Sequence, residues 1–415
     1  MHFKFKKQNL LFILVALLSI TAVLTACGQE KETLTATAPE NIITPAPSHS
    51  PRVDIKETVT FNGSSIPCYT DPSAEDVKYV LLTDVMNTIK SEAIYNNAKK
   101  CYEFTWREKD CSVSSESTTL IYGDKTYEMA APTFTFMGND NLYVPVESFC
   151  EGLEIGTLYD KANFCLYCTP ASGNWTLPSG RTVPVIMHSS TGEDYKAIDD
   201  YIGLELLEQE FQYLLSNGYT FCWIEDLWNL DNIEKPIIMS FDDGWASNYN
   251  NLLPLIKKYN TKVTLFVVPG NIDSVDKTSH GSGISRYNAY MTTEELMEMI
   301  NTGLVSIQSH SMNDPADFLS EEDYTIESEI KDTKLFLTRL TGLEPIAFAY
   351  PNGQKNAFVE GIVKENFRFA FLSDSNSVWT TGTTDNMSIP RFRLDKNESI
   401  DYFSEYLETG SVEFR

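Results

Sequence analysis

From Arg181 to the C-terminus, seven short apolar runs alternate with amphipathic stretches of helical period. The runs are residues 183–187, 236–241, 262–268, 305–309, 346–350, 369–372 and 387–392. Between them lie 204–216, with Leu204, Leu207, Phe211 and Leu214 at helical spacing, then 248–259, and a long amphipathic stretch over 323–340. Thr292-x-x-Glu295 is a capping box that opens a further helix to Asn301. Runs this short and this apolar read as strands buried on both faces, an environment that a parallel sheet covered by helices provides. Seven such units predict an α/β fold, a distorted (β/α)7-type barrel over residues 181–415.

One core rarely organises 415 residues, so a second folded unit is expected upstream. Residues 54–170 contain an internal duplication: Tyr79-Val80, Tyr95, Ala98 and Cys101 recur 64 positions later as Tyr143-Val144, Tyr159, Ala162 and Cys165. Each copy reads as strand, helix and two-strand hairpin, which predicts a small α+β domain built by pairing the halves. Its stretch Tyr122-Gly-Asp-Lys-Thr-Tyr127, with Leu142-Tyr-Val-Pro-Val-Glu147 and Leu158-Tyr-Asp160, resembles the stalk-like domains called copper amine oxidase N-terminal-like. No metal ligands are evident there, and the resemblance implies a spacer or glycan-contacting role. Residues 27–53 are rich in Thr, Pro, Ala and Ser and read as a flexible linker, and 171–180, with Gly173, Asn174, Pro178 and Gly180, as a second, short one.

Lys4, Lys6 and Lys7 precede an apolar run from 10 to 24 that is shorter than the ~20 residues of a spanning helix. Residues 1–26 therefore read as a signal peptide. Leu24-Thr25-Ala26-Cys27 resembles a bacterial lipobox, which implies acylation of Cys27 and a lipid anchor on the extracellular face of the cell membrane. A formal charge of −26 argues against nucleic acid as a partner and against electrostatic attachment to anionic lipid. Seven cysteines remain besides Cys27, an odd number, so at least one thiol stays free or pairs between chains. Cys165-x-x-Cys168 lies in an apolar strand-like run without a second such pair, and reads as structural thiols or a disulfide rather than a zinc or redox site.

Parallel barrels carry their chemistry at the C-terminal ends of the strands. Four ends here are unusually polar: Met187-His188, Ser240-Phe-Asp-Asp-Gly244, Gln308-Ser-His-Ser-Met-Asn-Asp314 and Ala349-Tyr-Pro-Asn-Gly353. Each alone has a structural reading. Asp-Asp-Gly and Asn-Gly are turn signals, His310 can end a strand, and His188 can be a packed histidine. Four polar ends converging on one mouth favour a site.

Ser240-Phe-Asp-Asp-Gly244 resembles the T/S-F-D-D-G signature of polysaccharide deacetylases, the NodB homology or chitin deacetylase family. Lys262-Val-Thr-Leu-Phe-Val267, His310-Ser311, Phe348-Ala-Tyr-Pro-Asn-Gly353 and Ile389-Pro-Arg391 follow in the family's order. The opening Pro-Val-Ile-Met-His188 strand and the closing Ile-Pro-Arg resemble the branch that deacetylates poly-N-acetylglucosamine. The resemblance implies a metal-dependent N-deacetylase acting on an acetylated surface polysaccharide, either peptidoglycan or an exported glycan. It implies a divalent metal, zinc by expectation, on Asp243 and His310, with Asp242 as general base and the Asn352 N–H as oxyanion donor.

The chain departs from the family pattern at three places. The second metal histidine is Asp314, which can ligate zinc but adds negative charge and shifts preference toward harder ions. No histidine follows His310, so protonated Asp242, or failing that His188, has to protonate the leaving amine. The arginine before the proline of the third motif is missing, and Arg391 is expected to pair with Asp242 in its place. Two alternatives stand beside the deacetylase: a catalytically degenerate glycan-binding lipoprotein, and an O-acetyl polysaccharide esterase.

Overall fold

All seven apolar runs form strands in the computed structural model, which describes residues 52–54, 57–71, 74–136, 141–192, 201–274, 290–374, 377–394 and 398–410. They are β1 (Val185–His188), β2 (Pro236–Asp243), β3 (Val263–Val267), β4 (Val305–Ser309), β5 (Ala347–Ala349), β6 (Phe369–Asp374) and β7 (Ile389–Arg393). Consecutive strands pair in parallel from β1 through β7. β7 returns to β1 with Ile186 opposite Phe392, which closes the sheet into a seven-stranded parallel barrel. A short extra strand, Thr220–Phe221, runs parallel to the start of β2.

Period-2 alternation divides the strand residues between two cores. Val185, Ile238, Phe266, Ala347, Ala349, Phe371 and Ile389 pack together inside the barrel. Ile186, Met239, Phe241, Leu265 and Val267 face outward onto Leu207, Phe211, Ile256, Leu296, Met299 and Phe403. These last six lie on α1 (Leu204–Ser216), α2 (Leu253–Tyr259), α3 (Thr293–Asn301) and α6 (Ile400–Thr409). Burying each large apolar side chain contributes about 1.5–3 kcal/mol. The capping box forms as read, with the Thr292 hydroxyl accepting from Glu295 N–H at 3.2 Å and the Glu295 carboxylate from Thr292 N–H at 3.0 Å. α4 (Asp323–Thr341) ends at Gly342 with φ 72°, and α5 (Ala357–Asn366) is capped by Asn356.

The stretch read as one helix over 248–259 begins with a wide π turn, Asn248–Leu252, before α2. Pro254 at the start of α2 has no N–H to donate, so a regular α ladder cannot run through it.

Upstream, the strands that open the two sequence copies, Ala74–Leu81 and Leu142–Pro145, pair antiparallel with Val80 opposite Val144. Each runs directly into a short helix, Leu82–Thr88 or Val146–Gly152, and Val85, Phe149 and Leu153 share one core. Cys165 and Cys168 lie three apart on one strand, Cys165–Thr169, and so project to opposite faces, which prevents both from holding one ion. The seven cysteines of the described residues are free thiols, all buried.

The α+β unit is fastened to the barrel. Arg339 on α4 reaches both oxygens of Asp160 at 2.6 and 2.7 Å, and Glu344 N–H donates to Thr169 Oγ1 at 3.1 Å. The stretch 171–180, read as a short linker, packs against the barrel. Trp175 is buried in the barrel's interior core, with the Arg368 guanidinium 4.2 Å from its ring centroid and bonded to the Gly173 and Trp175 carbonyls. Its glycines and proline mark turns, but one large aromatic outweighs them.

Candidate active site

β2 delivers two adjacent carboxylates to the barrel mouth, and strand alternation alone would aim them apart. Asp243 takes the left-handed conformation, φ 69°, and Gly244 follows at 83°. Ser311, Asp314 and Asn352, in the turns after β4 and β5, are left-handed as well, at 62°, 48° and 50°. Non-glycine residues held this way cost of order 1–3 kcal/mol each and persist where their surroundings fix them, which is characteristic of functional sites.

These turns bring Asp243, His310 and Asp314 together, each offering a ligand atom within 4.8 Å of the others. His310 Nε2 lies 3.5 Å from Asp243 Oδ1. Its Nδ1 is 2.9 Å from the Ala349 carbonyl, which can only accept, so Nδ1 carries a proton and Nε2 is the nitrogen that can serve as a ligand. Trp245 Nε1–H donates to Asp243 Oδ2 at 2.9 Å, which leaves Oδ1 facing the imidazole.

The electrostatics of the cluster call for a cation. Burial pushes the Asp243 carboxyl up to about 7, with Asp242 and Asp314 adding to the rise and His310 opposing it. Burial disfavours the His310 cation, yet Asp242, Asp243 and Asp314 together raise its pKa. Asp314 is raised by burial first and then by Asp242 and Glu329. Two carboxylates crowded around one imidazole form a donor set that fits a divalent ion.

Asp242 faces the barrel interior, where Arg391 of β7 meets it. The guanidinium donates at 2.7 Å to each carboxylate oxygen, while Arg391 Nε–H donates to the Leu372 carbonyl at 2.6 Å. Both side chains are buried, Arg391 completely. This is the pairing expected from the sequence.

His188 is placed elsewhere. As the last residue of β1 it shares the outward face with Ile186, and its Nε2 lies 2.9 Å from Glu210 Oε2 of α1. Its ring lies tilted against that of Phe241, with centroids 5.5 Å apart, in the layer between sheet and helices. The structure thus corrects its expected part as reserve acid, because strand alternation sends the ring to the helix side and a buried glutamate holds it there. Asn352 sits in the turn Pro351–Gly353 just past Ala349, with its side chain 3.4 Å from the Ala316 carbonyl. Cys27 lies outside the described residues.

Two further residues of the site were not read from the sequence. Trp245 is local to the Asp-Asp-Gly turn, yet nothing in its spacing marks it as a donor to Asp243. Glu329 stood in plain view as a carboxylate among Ile326, Ile330, Thr333 and Leu337 on the buried face of α4, a position that carboxylates rarely occupy without a partner.

Residues 229–366 match the family model described as polysaccharide deacetylase. The Bacillus subtilis protein YxkH, named as a polysaccharide deacetylase, is 27% identical over 171 residues, which are 39% of this chain and 56% of that protein. The poly-β-1,6-N-acetyl-D-glucosamine N-deacetylase of Staphylococcus epidermidis is 25% identical over 176 residues, 40% of this chain and 57% of that one. The chain thus spans less than two thirds of either relative's length. Among solved structures, the Streptococcus pyogenes deacetylase PplD in complex with acetate aligns with a TM-score of 0.47 at 24% identity, covering 57% of this chain and all of that one.

Proposed function

We propose, on the premise that the chain carries a polysaccharide deacetylase domain over residues 229–366, that it hydrolyses the acetamide of N-acetylglucosamine units in a surface or exported glycan. The observation that carries this reading is the gathering of Asp243, His310 and Asp314 beside an arginine-held Asp242. The names of the staphylococcal relatives support a poly-N-acetylglucosamine substrate.

Asp243, His310 Nε2 and Asp314 would hold the divalent ion, zinc by first expectation, which supplies a water acidic enough to attack and a Lewis acid for the acetamide oxygen. Asp242 accepts the proton of the attacking water, and Arg391 fixes the carboxylate's orientation as it does so. The Asn352 N–H, in its left-handed turn, donates to the oxyanion. As the C–N bond breaks, Asp242 returns its proton to the departing amine. Water oxygen leaves in acetate and the glycan keeps a free amine. One carboxyl serves as base and then acid, because His188 is committed to Glu210.

Lys4, Lys6 and Lys7, the apolar run and Cys27 support export and lipid anchoring at the extracellular face of the membrane. Loss of acyl labelling in Cys27→Ser tests that.

The decisive experiment incubates purified protein with a divalent metal and N-acetylglucosamine oligomers and measures acetate. Release that disappears in Asp242→Asn supports the reading. Stoichiometric glycan binding without acetate under any divalent metal would make the chain a binding module, and release from O-acetylated xylan alone would make it an esterase.

A further inference from the structure

The metal-side turn after β4 is wrapped around one carboxylate that belongs to neither the metal cluster nor the acid–base chemistry. Glu329, on the inner face of α4, accepts from Met312 N–H at 2.8 Å and Asn313 N–H at 2.7 Å through Oε2, and from the Asn313 side-chain amide at 2.6 Å through Oε1. The two backbone donors lie between Ser311 and Asp314, the two left-handed residues of the turn. Asp314 N–H also donates to Ser311 Oγ at 3.0 Å, closing the turn on itself. One helical turn beyond Glu329, Thr333 Oγ1 is 3.1 Å from Ser309 Oγ. α4 therefore grips the chain on both sides of His310 and immediately before Asp314. From the other side Gly270 N–H donates to the Met312 carbonyl at 2.8 Å, and a Cβ at Gly270 would fall 2.4 Å from Asn313 Oδ1.

We infer that Glu329 is a positioning residue for the metal centre: its carboxylate holds the 311–314 turn in the strained form that presents Asp314 to Asp243 and His310. The physical argument is that the left-handed conformations at Ser311 and Asp314 are unfavourable alone, and the interactions that offset them are the N–H groups delivered to Glu329. Without that acceptor the Met312 and Asn313 N–H groups lose the charged partner that fixes their direction, the turn relaxes, and the Asp314 carboxylate leaves the ion's reach. Outer partners that orient ligands in this way change metal affinity by about 10–100-fold when removed.

This inference rests on the metal-site reading above, and the experiment separates the two. Full-length wild type, Glu329→Gln and Glu329→Ala are prepared metal-free and titrated with Zn2+ by calorimetry and with Co2+ by visible absorption, with thermal melts of each metal-free protein alongside. Wild type is expected to bind one ion tightly. Glu329→Ala is expected to bind about 10–100-fold more weakly with an altered Co2+ spectrum, and Glu329→Gln to fall between, since its amide oxygen still accepts while its NH2 opposes the Asn313 amide. If Glu329→Ala does not fold, Glu329→Gln decides. A lower melting temperature with unchanged affinity and spectrum means that Glu329 is merely structural, and overturns the inference while leaving the metal site standing. Wild type that binds no ion overturns both.

Discussion

Arg391 and Asp242 face each other across the barrel interior as a two-point clamp, 2.7 Å at each nitrogen–oxygen contact, with the arginine wholly buried. The carboxylate proposed to move the proton is thereby fixed in plane, and the lone pairs not engaged by the guanidinium are those left for water.

Replacing Arg391 with Lys removes the fork while keeping the charge, and a point charge on a flexible stem cannot reproduce both contacts. Acetate release is expected to fall about 100-fold or more, within the range that general base catalysis contributes. Zn2+ affinity should stay within a few-fold of wild type, because Asp243, His310 and Asp314 are untouched. Arg391→Met strands a buried carboxylate and is expected to cost about 3–5 kcal/mol of stability. Unfolding in urea measures the second effect and single-turnover acetate release the first.

Glu225 makes stability fall as pH rises through neutrality. Its Oε1 accepts from Ser306 Oγ at 2.7 Å and from the Gln308 amide at 2.8 Å, whereas Oε2 is sealed from solvent without a hydrogen-bond partner among the described residues. Burial pushes the carboxyl up to about 7 against the pull of the Ser306 hydroxyl. In the unfolded chain a glutamate titrates near 4.3, so this group's contribution is complete below that value and disappears as pH climbs through about 7. Wild type should melt at a lower temperature at pH 8 than at pH 6, and Glu225→Gln should show a smaller difference. Equal slopes for the two proteins would reject the assignment.

The opposite sign applies where Asp160 docks the α+β unit on α4. Hydrogen bonds from Arg339 hold the Asp160 carboxyl well below the usual carboxylate range, outweighing its burial, with Asn163 and the Ala162 N–H assisting. A depressed carboxyl contributes stability above its unfolded pKa, near 3.9, and loses it as pH falls toward the folded value. Limited proteolysis across the junction should accelerate below about pH 4 in wild type. Arg339→Ala should be cleaved faster already at neutral pH, with less further acceleration on acidification.

Much of this architecture could be read from the chain because it is written in local pattern. Short apolar runs such as 263–267 and 305–309, separated by amphipathic helices, define a parallel barrel before any contact is known, and the polar strand ends mark its mouth. Pairing of Arg391 with Asp242 was expected only through the family resemblance, as a stand-in for the arginine missing from the third motif. What escaped is set by phase and by distance. Whether His188 faces the interior or the helices depends on which parity of β1 points inward, and only the register with Ser240 and Phe241 decides it. Glu329 acts on a turn 16 residues upstream, through a helix packing that no spacing encodes. Trp175 converts a stretch of turn residues into an anchored crossing because its ring finds Phe369 and Arg368, nearly 200 positions later.

Asp314 is expected to govern which ion the proposed centre prefers. The donor set of two carboxylates and one imidazole is harder than one with two imidazoles, and it puts one more negative charge on the ion. That charge weakens the ion's pull on bound water, so the wild-type pH–rate profile should rise at higher pH than that of Asp314→His. Substituting His should also raise affinity for Zn2+ relative to Mn2+, since imidazole suits the softer ion better than carboxylate does. Protons compete for the same ligands, and with Asp243 near 7 the wild-type affinity for either ion should climb as pH rises through neutrality. Competitive titration of both ions at pH 6 and pH 8 tests the two statements together. A Zn2+ to Mn2+ preference that is identical in wild type and Asp314→His would mean that the Asp314 carboxylate does not touch the ion.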